Sequence, residues 1–234
     1  MAEGLSALGP FFAVSPRPPG TRPEPPWRLV SELTRPSAAL RDRVGAVRAT
    51  LAARGGLAVD AIEVRVAASA VHLGLAARFA APALGAAVLG GRLDLRPDSL
   101  WWQDAAGGPV PLSVPAPGPG GGDLDGWAQA LFGELLIPLT SAIAGLFGVS
   151  GRVLWGNVAS GVNAAARQVA RQRPELADAA WQAAGRLFAC PPLRAERDPP
   201  GPAFRRTSCC LFYRLVPGDR SAVCGDCVLA DRLG

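Results

Sequence analysis

Lysine is absent from this chain of 234 residues, and histidine occurs once, as His72. Every basic side chain is therefore an arginine, and the formal net charge at pH 7 is +5. The arginines are scattered and form no block of like charge, and no aromatic-rich binding motif accompanies them, so we exclude a nucleic-acid partner. With a single histidine, neither a Ser-His-Asp triad nor a paired-carboxylate site can be argued.

The N-terminus lacks the parts of a secretory signal, since no arginine precedes its short apolar stretch and Pro10 interrupts that stretch. The most apolar segment, residues 64–91, contains Arg65, His72 and Arg78 and therefore fits a buried helix better than a membrane span. We expect a cytoplasmic protein whose cysteines are reduced thiols rather than disulfides.

Helical spacing of apolar residues dominates the chain. It predicts helices over about 37–56, 61–81, 82–91, 127–147 (with a kink at Pro138), 152–173 and 174–188. Short segments between turn-forming residues, over 92–115, predict a small antiparallel β meander, and the glycine-rich stretch 115–123 predicts a flexible connector.

The predicted fold is therefore α+β and mainly α-helical, with the β meander inserted in a helical body. We divide the chain into an extended, proline-rich N-terminal arm (1–27), the helical body (28–190) and a C-terminal cysteine segment (191–234). The sequence contains no internal repeat and no nucleotide-binding glycine motif in a strand–helix context.

Four of the five cysteines lie within nineteen positions near the C-terminus, as the adjacent pair Cys209 and Cys210 and the CxxC of Cys224 and Cys227. A CxxC places two sulfurs on one turn, close enough to bind one metal atom. Adjacent cysteines on a regular strand point to opposite faces, so both can serve one site only where the backbone bends. The intervening LFYRL and VPGDR predict a hairpin that brings the two pairs together.

These residues alone leave three alternatives open: an iron–sulfur cluster, a zinc site, or disulfides. A mononuclear zinc site favours two spaced pairs, whereas a two-iron cluster spreads its four thiolates over a wider body and tolerates an adjacent pair. A reducing compartment disfavours disulfides. The fifth cysteine, Cys190, stands apart before two prolines, and we interpret it as a small buried side chain or an adventitious thiol rather than a ligand.

The stretch RRTSCCLFYRL followed by CGDCVL resembles the C-terminal signature of the FhuF-type ferric siderophore reductases. RVLWGNVASGVNAA (152–165) is similar to a Trp-Gly-Asn helix of that family, and the apolar helical region also resembles it. The spacer between the two cysteine pairs, thirteen residues (211–223), is longer here than in the founding pattern. Additional residues in a loop need not move the ligands.

The resemblance implies a cytoplasmic reductase with a [2Fe-2S] cluster held by Cys209, Cys210, Cys224 and Cys227. Such a protein passes one electron to a ferric siderophore and so releases Fe(II). Because the chain has no flavin or nicotinamide motif, the electron would come from an external donor such as a ferredoxin or a flavin reductase. The implied partners also include a transient contact with an inner-membrane transporter. The alternative is a non-catalytic module that binds or senses an iron chelate around a structural zinc or iron–sulfur site.

Several further residues are candidates for a role near this segment. Positive charge there would stabilise the reduced centre, and the arginines in question are Arg205, Arg206, Arg214, Arg220 and Arg232. The tryptophans Trp101, Trp102 and Trp155 could stack on a ligand but are more often core residues. Asn157 would either cap a backbone turn or face a ligand, and His72 is expected to be a satisfied core histidine.

Overall fold

The structure is a computed structural model that describes residues 1–105, 107–116, 118–119, 124–196, 198–215 and 224–229. It is mainly helical, as predicted. The α-helices are α1 (Ala2–Ala7), α2 (Ala38–Gly55), α3 (Val64–Val88), α4 (Leu124–Ala130), α5 (Ile137–Phe147), α6 (Gly151–Gln172) and α7 (Ala177–Phe188). A π-helical segment, Leu131–Leu136, joins α4 to α5, and 3-10 turns form at Val30–Glu32, Val59–Ala61, Pro174–Leu176, Pro191–Leu193 and Phe212–Arg214.

Helix α2 has the ends that its sequence predicts. The Ser37 side chain accepts a hydrogen bond from the Leu40 amide at the N-cap, and Gly56 ends the helix in the left-handed conformation with φ of 61°. Serine at the N-cap satisfies an otherwise unpaired amide, and glycine adopts the left-handed C-terminal conformation without a Cβ clash.

Helix α3 continues through Pro82, so the prediction of two helices separated at that proline is wrong. A proline removes one helical hydrogen bond, but α3 is buried along most of its length, and tertiary packing offsets that local loss. Helix α6 packs closely against α3 at Gly161. A Cβ at that position would lie only 3.0 Å from the Cα of Ala77, so the glycine allows the close approach. These two helices carry Ser69 and Asn157, which reach toward the cysteine segment.

Two helical stretches among the described residues, Val64–Val88 and Asp125–Phe147, are long and apolar enough to cross a membrane. Within the folded chain, 72% and 44% of their most apolar windows are buried. For α3, this burial agrees with the expected core helix.

The small sheet is mixed rather than antiparallel, which corrects the predicted meander. Its strand order is β1 (Ser15–Arg17), β5 (Leu112–Pro115), β4 (Trp101–Trp102), β2 (Arg28–Leu29), and β1 pairs with β5 in parallel. The register places Ser15 opposite Ser113, and Trp101 opposite both Leu29 and Ser113. The local pattern over 92–115 contained no information on β1, because that strand comes from the N-terminal segment. A separate two-stranded sheet pairs β3 (Gly91–Arg92) with β6 (Gly118–Pro119). Strand β6 lies within the predicted connector.

Residues 1–27, expected to be extended, begin with α1 and bury Leu5, Leu8 and Phe12 in the core. Arg78 on α3 holds this segment in place by donating hydrogen bonds to the carbonyls of Phe11 (2.7 Å) and Ala13, and to Val110 (2.7 Å). The arm is therefore part of the folded body. The division of the chain into domains at residues 28 and 191 stays a prediction.

Candidate metal centre

The four C-terminal cysteines lie beside one another at the ends of two short segments. Cys210 and Cys227 are buried, whereas Cys209 and Cys224 are partly exposed. The Sγ atoms of Cys210 and Cys224 are 2.9 Å apart, and Cys210 and Cys227 are both near enough to Cys209 to affect the pKa of its thiol. The structure therefore brings the CxxC to the adjacent pair, as the spacing predicted. Within the described residues, no three His, Cys, Asp or Glu side chains form a group suited to one metal ion.

A bend in the backbone, rather than a regular strand, orients the adjacent pair. Leu211 has a φ of 73°, the only positive φ of a non-glycine residue in the described part of the chain. Such a conformation costs free energy and is common at functional sites. Residues 212–214 then form a 3-10 turn, so the predicted strand over LFYRL is wrong. The rest of the predicted hairpin, residues 216–223, lies outside the described residues.

Backbone amides provide direct hydrogen bonds to two of the sulfurs. The Leu211 amide donates to Cys209 Sγ at 3.3 Å, and the Leu229 amide donates to Cys227 Sγ at 3.4 Å. In the CxxC turn, the Cys227 amide donates to the Cys224 carbonyl at 3.0 Å. Hydrogen bonds of this kind stabilise negative charge on sulfur and are one means of adjusting the potential of a thiolate-bound metal centre.

As free thiols, three of the four groups have a raised pKa, and that of Cys224 is lowered. The hydrogen bond with Cys210, followed by burial, strongly raises the pKa of Cys209. The pKa of Cys210 rises to about 11, because the lowering effect of Cys209 is exceeded by the hydrogen bond with Cys224 and by burial. Burial raises the pKa of Cys227, whereas the hydrogen bond from Cys210 lowers that of Cys224. All four can be thiolates together only if cations compensate their charge.

One such cation is a protein side chain, Arg206, which is 1% exposed. Its Nη2 donates to Asn157 Oδ1 at 2.6 Å and to the Val153 carbonyl at 3.3 Å, both on α6. Its Nε and Nη1 atoms are buried and have no hydrogen-bond partner among the described residues. Its charge acts on both thiols of the CxxC, Cys224 and Cys227.

Asn157 links this arginine to the cysteine backbone. The Asn157 Nδ2 donates to the carbonyl and hydroxyl oxygens of Ser69 on α3, each at 3.1 Å, and the Ser69 hydroxyl donates to the Cys210 carbonyl at 2.8 Å. Asn157 is fully buried and neither caps a turn nor faces solvent. The chain Arg206–Asn157–Ser69–Cys210 therefore connects α6 and α3 to the cysteine segment through buried hydrogen bonds.

Sequence reasoning missed three residues that position this segment. Ser69 is one of the few polar residues in the mainly apolar helix α3, and the sequence offered that signal. Gly156 is required for close approach, because a Cβ there would lie 2.2 Å from Ser208 Oγ. Glu196 binds Thr207 twice, accepting from its amide at 2.9 Å and its hydroxyl at 3.1 Å.

The other predicted arginines differ in position from Arg206. Arg214 is largely exposed and pairs with Glu63 at 2.8 Å, and Arg205 donates to the Cys227 carbonyl at 3.5 Å. Arg220 and Arg232 lie outside the described residues.

The tryptophans mainly serve the core. Trp102 is fully buried in β4, Trp155 stacks on Phe132 with ring centroids 6.1 Å apart, and Trp101 is partly buried. Cys190 is partly exposed at the end of α7, where its thiol interacts with the Arg186 carbonyl at 3.7 Å.

His72 is buried in the core, but its ring is only partly satisfied, because Nδ1 has no hydrogen-bond partner among the described residues. Its Nε2 lies 3.0 Å from the Thr140 hydroxyl, and burial, together with the charge of Arg206, lowers its pKa to about 3. His72 is therefore neutral in the folded protein at pH values where it ionises in the unfolded chain.

This difference predicts a pH-dependent stability. Below the unfolded pKa of 6.5, the unfolded chain binds a proton that the folded protein does not, so the free energy of unfolding falls as the pH falls toward about 3. The slope from this residue is about 1.4 kcal/mol per pH unit, or roughly 2 kcal/mol between pH 6.5 and 5. Denaturant unfolding of wild type and His72→Gln across this range tests it. Equal slopes in the two proteins would contradict the assignment.

The four thiols fit a two-iron cluster by ligand type, because such a cluster spreads its thiolates over a wider body, whereas the described side chains form no three-ligand group for one ion. Thiolates are soft ligands that suit iron–sulfur clusters and zinc, and an unpaired buried guanidinium suits an anionic group. The fit does not depend on His72, which is bound to Thr140.

No curated protein matches the chain. Residues 206–229, which begin at the buried arginine and contain all four cysteines, match the family model described as FhuF 2Fe-2S C-terminal domain. This match confirms the resemblance predicted from the cysteine motif, and the name of the domain indicates a [2Fe-2S] cluster.

Proposed function

We propose that this protein is a cytoplasmic [2Fe-2S] ferric siderophore reductase that passes one electron to Fe(III) and so releases Fe(II). The proposal rests on one observation: the four thiols lie close to a buried arginine in the segment that matches the family model, with Cys210 Sγ 2.9 Å from Cys224 Sγ. The cluster ligands would be Cys209, Cys210, Cys224 and Cys227. When bound, a [2Fe-2S] centre supplies reversible one-electron transfer at a potential that the protein sets.

The reaction needs no bond of the siderophore to break. Siderophores bind Fe(III) through hard oxygen donors and bind Fe(II) far more weakly, so one added electron makes the iron available to competing ligands. The electrons balance if an external donor, a ferredoxin or a flavin reductase, supplies one electron for each Fe(III) reduced. The residues of this chain then have two tasks, to hold the centre and to admit the chelate close to it.

A cavity of about 420 Å³ next to Cys209 suits the second task. Its lining includes three arginines, Arg152, Arg205 and Arg206, together with Asp198, Thr207 and Leu229. Arginine can bind the oxygen donors or carboxylates of a chelate, and Cys209 at the wall offers a short path for the electron. The siderophore would dock here, and a contact with an inner-membrane transporter would deliver it.

Metal and sulfide analysis of anaerobically purified protein tests the proposal first. We expect two irons and two acid-labile sulfides per chain and visible bands that bleach with dithionite. The reduced protein is then mixed with hydroxamate, catecholate and carboxylate ferric complexes, with an Fe(II) chelator as the reporter. Reoxidation of the centre with matching Fe(II) formation supports the reductase.

Two other outcomes would overturn it. One zinc per chain without sulfide or colour would make the site a structural clip. An intact iron–sulfur centre that reduces none of the chelates, while the protein binds one of them tightly, would favour the non-catalytic binding or sensing module.

A further inference from the structure

The Arg206 guanidinium is a buried charge that no carboxylate among the described residues neutralises. The other deeply buried arginine, Arg78, donates to three backbone carbonyls, one from each nitrogen of its guanidinium. Arg206 uses only Nη2, and its Nε and Nη1 atoms have no partner among the described residues. No carboxylate in the described part of the chain forms an ion pair with it. An isolated buried charge of this kind is costly, so a compensating anion is expected nearby.

The four cysteines are the source of that anion. The Arg206 amide donates to the Asp226 carbonyl at 3.1 Å, which fixes the arginine backbone against the CxxC turn. Four thiolates, two sulfides and two ferric ions have a formal charge of −2, and one added electron makes it −3. A neighbouring positive charge stabilises the second state more than the first, and a buried position weakens screening by water and salt.

We propose that Arg206 is a positioning residue that supplies the buried counter-charge of the thiolate centre and raises its reduction potential. This inference rests on the proposed [2Fe-2S] site and concerns Arg206, the arginine of this segment that the described residues show to be buried. Exposed Arg214, already paired with Glu63, has little such effect, because solvent screens it and a carboxylate neutralises it.

The position of Arg206 is set from the helical body. Asn157 and the Val153 carbonyl hold its Nη2 on α6, and a Cβ at Gly156 would lie 3.1 Å from that nitrogen. The Gly-Asn sequence in the middle of α6 therefore has two roles: the glycine makes room for the guanidinium, and the asparagine orients it.

Redox titration of the holoprotein without siderophore tests the inference, with the visible and electron paramagnetic resonance signals as readouts. Arg206→Gln should make reduction at least tenfold less favourable, which is about 59 mV for a one-electron couple. Arg206→Lys keeps the charge and should recover most of the shift. The matched control Arg214→Gln removes the same formal charge from an exposed site and should shift the equilibrium less than threefold.

A second variant covers the case in which Arg206→Gln does not retain the centre. Asn157→Asp is nearly isosteric and places a carboxylate on Arg206 Nη2, so it offsets the charge without removing the guanidinium, although it gives up the two hydrogen bonds that Asn157 Nδ2 donates to Ser69. This variant should also lower the reduction potential, by an amount that makes the equilibrium constant for reduction at least tenfold smaller. A wild-type potential in Arg206→Gln, or in Asn157→Asp if only that variant keeps the centre, would overturn the role of Arg206. Chelate reduction by the wild-type protein would be intact in that case, whereas failure of the proposed function would appear in the wild type itself.

Discussion

Cys224→Ser and Cys227→Ser are each expected to abolish the bound centre, with loss of iron, sulfide and colour, whereas Cys190→Ser retains all three. Serine is a poor replacement for a soft thiolate ligand. Cys224 Sγ lies 2.9 Å from Cys210 Sγ, and Cys227 is held on the same turn as Cys224 by its amide, which donates to the Cys224 carbonyl at 3.0 Å. Cys190 lies at the end of α7 and interacts with the Arg186 carbonyl instead.

Iron and sulfide per chain, measured after anaerobic purification, decide the result. Circular dichroism of each variant shows whether the helical body has remained folded, since α3, α6 and the core lie mainly outside the cysteine segment. Full iron and sulfide in both CxxC variants would refute the ligand assignment. Loss of the centre in Cys190→Ser, with an unchanged helical signal, would show that a fifth thiol had been wrongly excluded.

Local sequence patterns predicted those helices whose ends are determined by neighbouring residues. The serine N-cap and the glycine C-cap of α2 both act within one turn of the helix, so 37–56 was readable from the sequence. Pro82 misled the prediction, because whether a proline ends a helix depends on the packing around it, and α3 is buried on both sides of that residue. The parallel strand β1 was missed for a related reason: its partner β5 is about a hundred residues away.

At the candidate site, too, features set by local sequence were predicted and features set by long-range packing were not. The sequence identified the four thiols, and the structure places them together with contacts across both pairs. The sequence could not distinguish Arg206 from its neighbour Arg205, because burial and hydrogen bonding to Asn157 arise only when α6 and the cysteine segment pack together. Ser69 and Gly156 are likewise defined by long-range contacts, with Cys210 and Ser208 respectively.

Gly156→Ala should separate the cysteine segment from α6. The added methyl group would lie 2.2 Å from Ser208 Oγ, and this hydroxyl now donates to the Arg152 carbonyl at 2.8 Å in a nearly buried position. Overpacking of this kind costs about 1–3 kcal/mol in the free energy of unfolding, even though alanine normally favours a helix over glycine. Because Arg206 Nη2 also lies 3.1 Å from the new methyl group, iron retention should fall as well.

Two companion variants make this prediction specific to the contact between α6 and the cysteine segment. Gly185→Ala on α7 adds a methyl group with no atom within 4 Å, so it should stabilise the protein by about 0.5–1 kcal/mol through helix propensity. Ser208→Ala removes the clashing hydroxyl, and the double variant Gly156→Ala/Ser208→Ala should regain most of the lost stability and iron. Denaturant unfolding of wild type, Gly156→Ala, Ser208→Ala and the double variant gives the coupling energy between positions 156 and 208. Purely additive effects would mean that α6 does not pack on the cysteine segment at Gly156, and the link from the helical body to Arg206 would then have no structural basis.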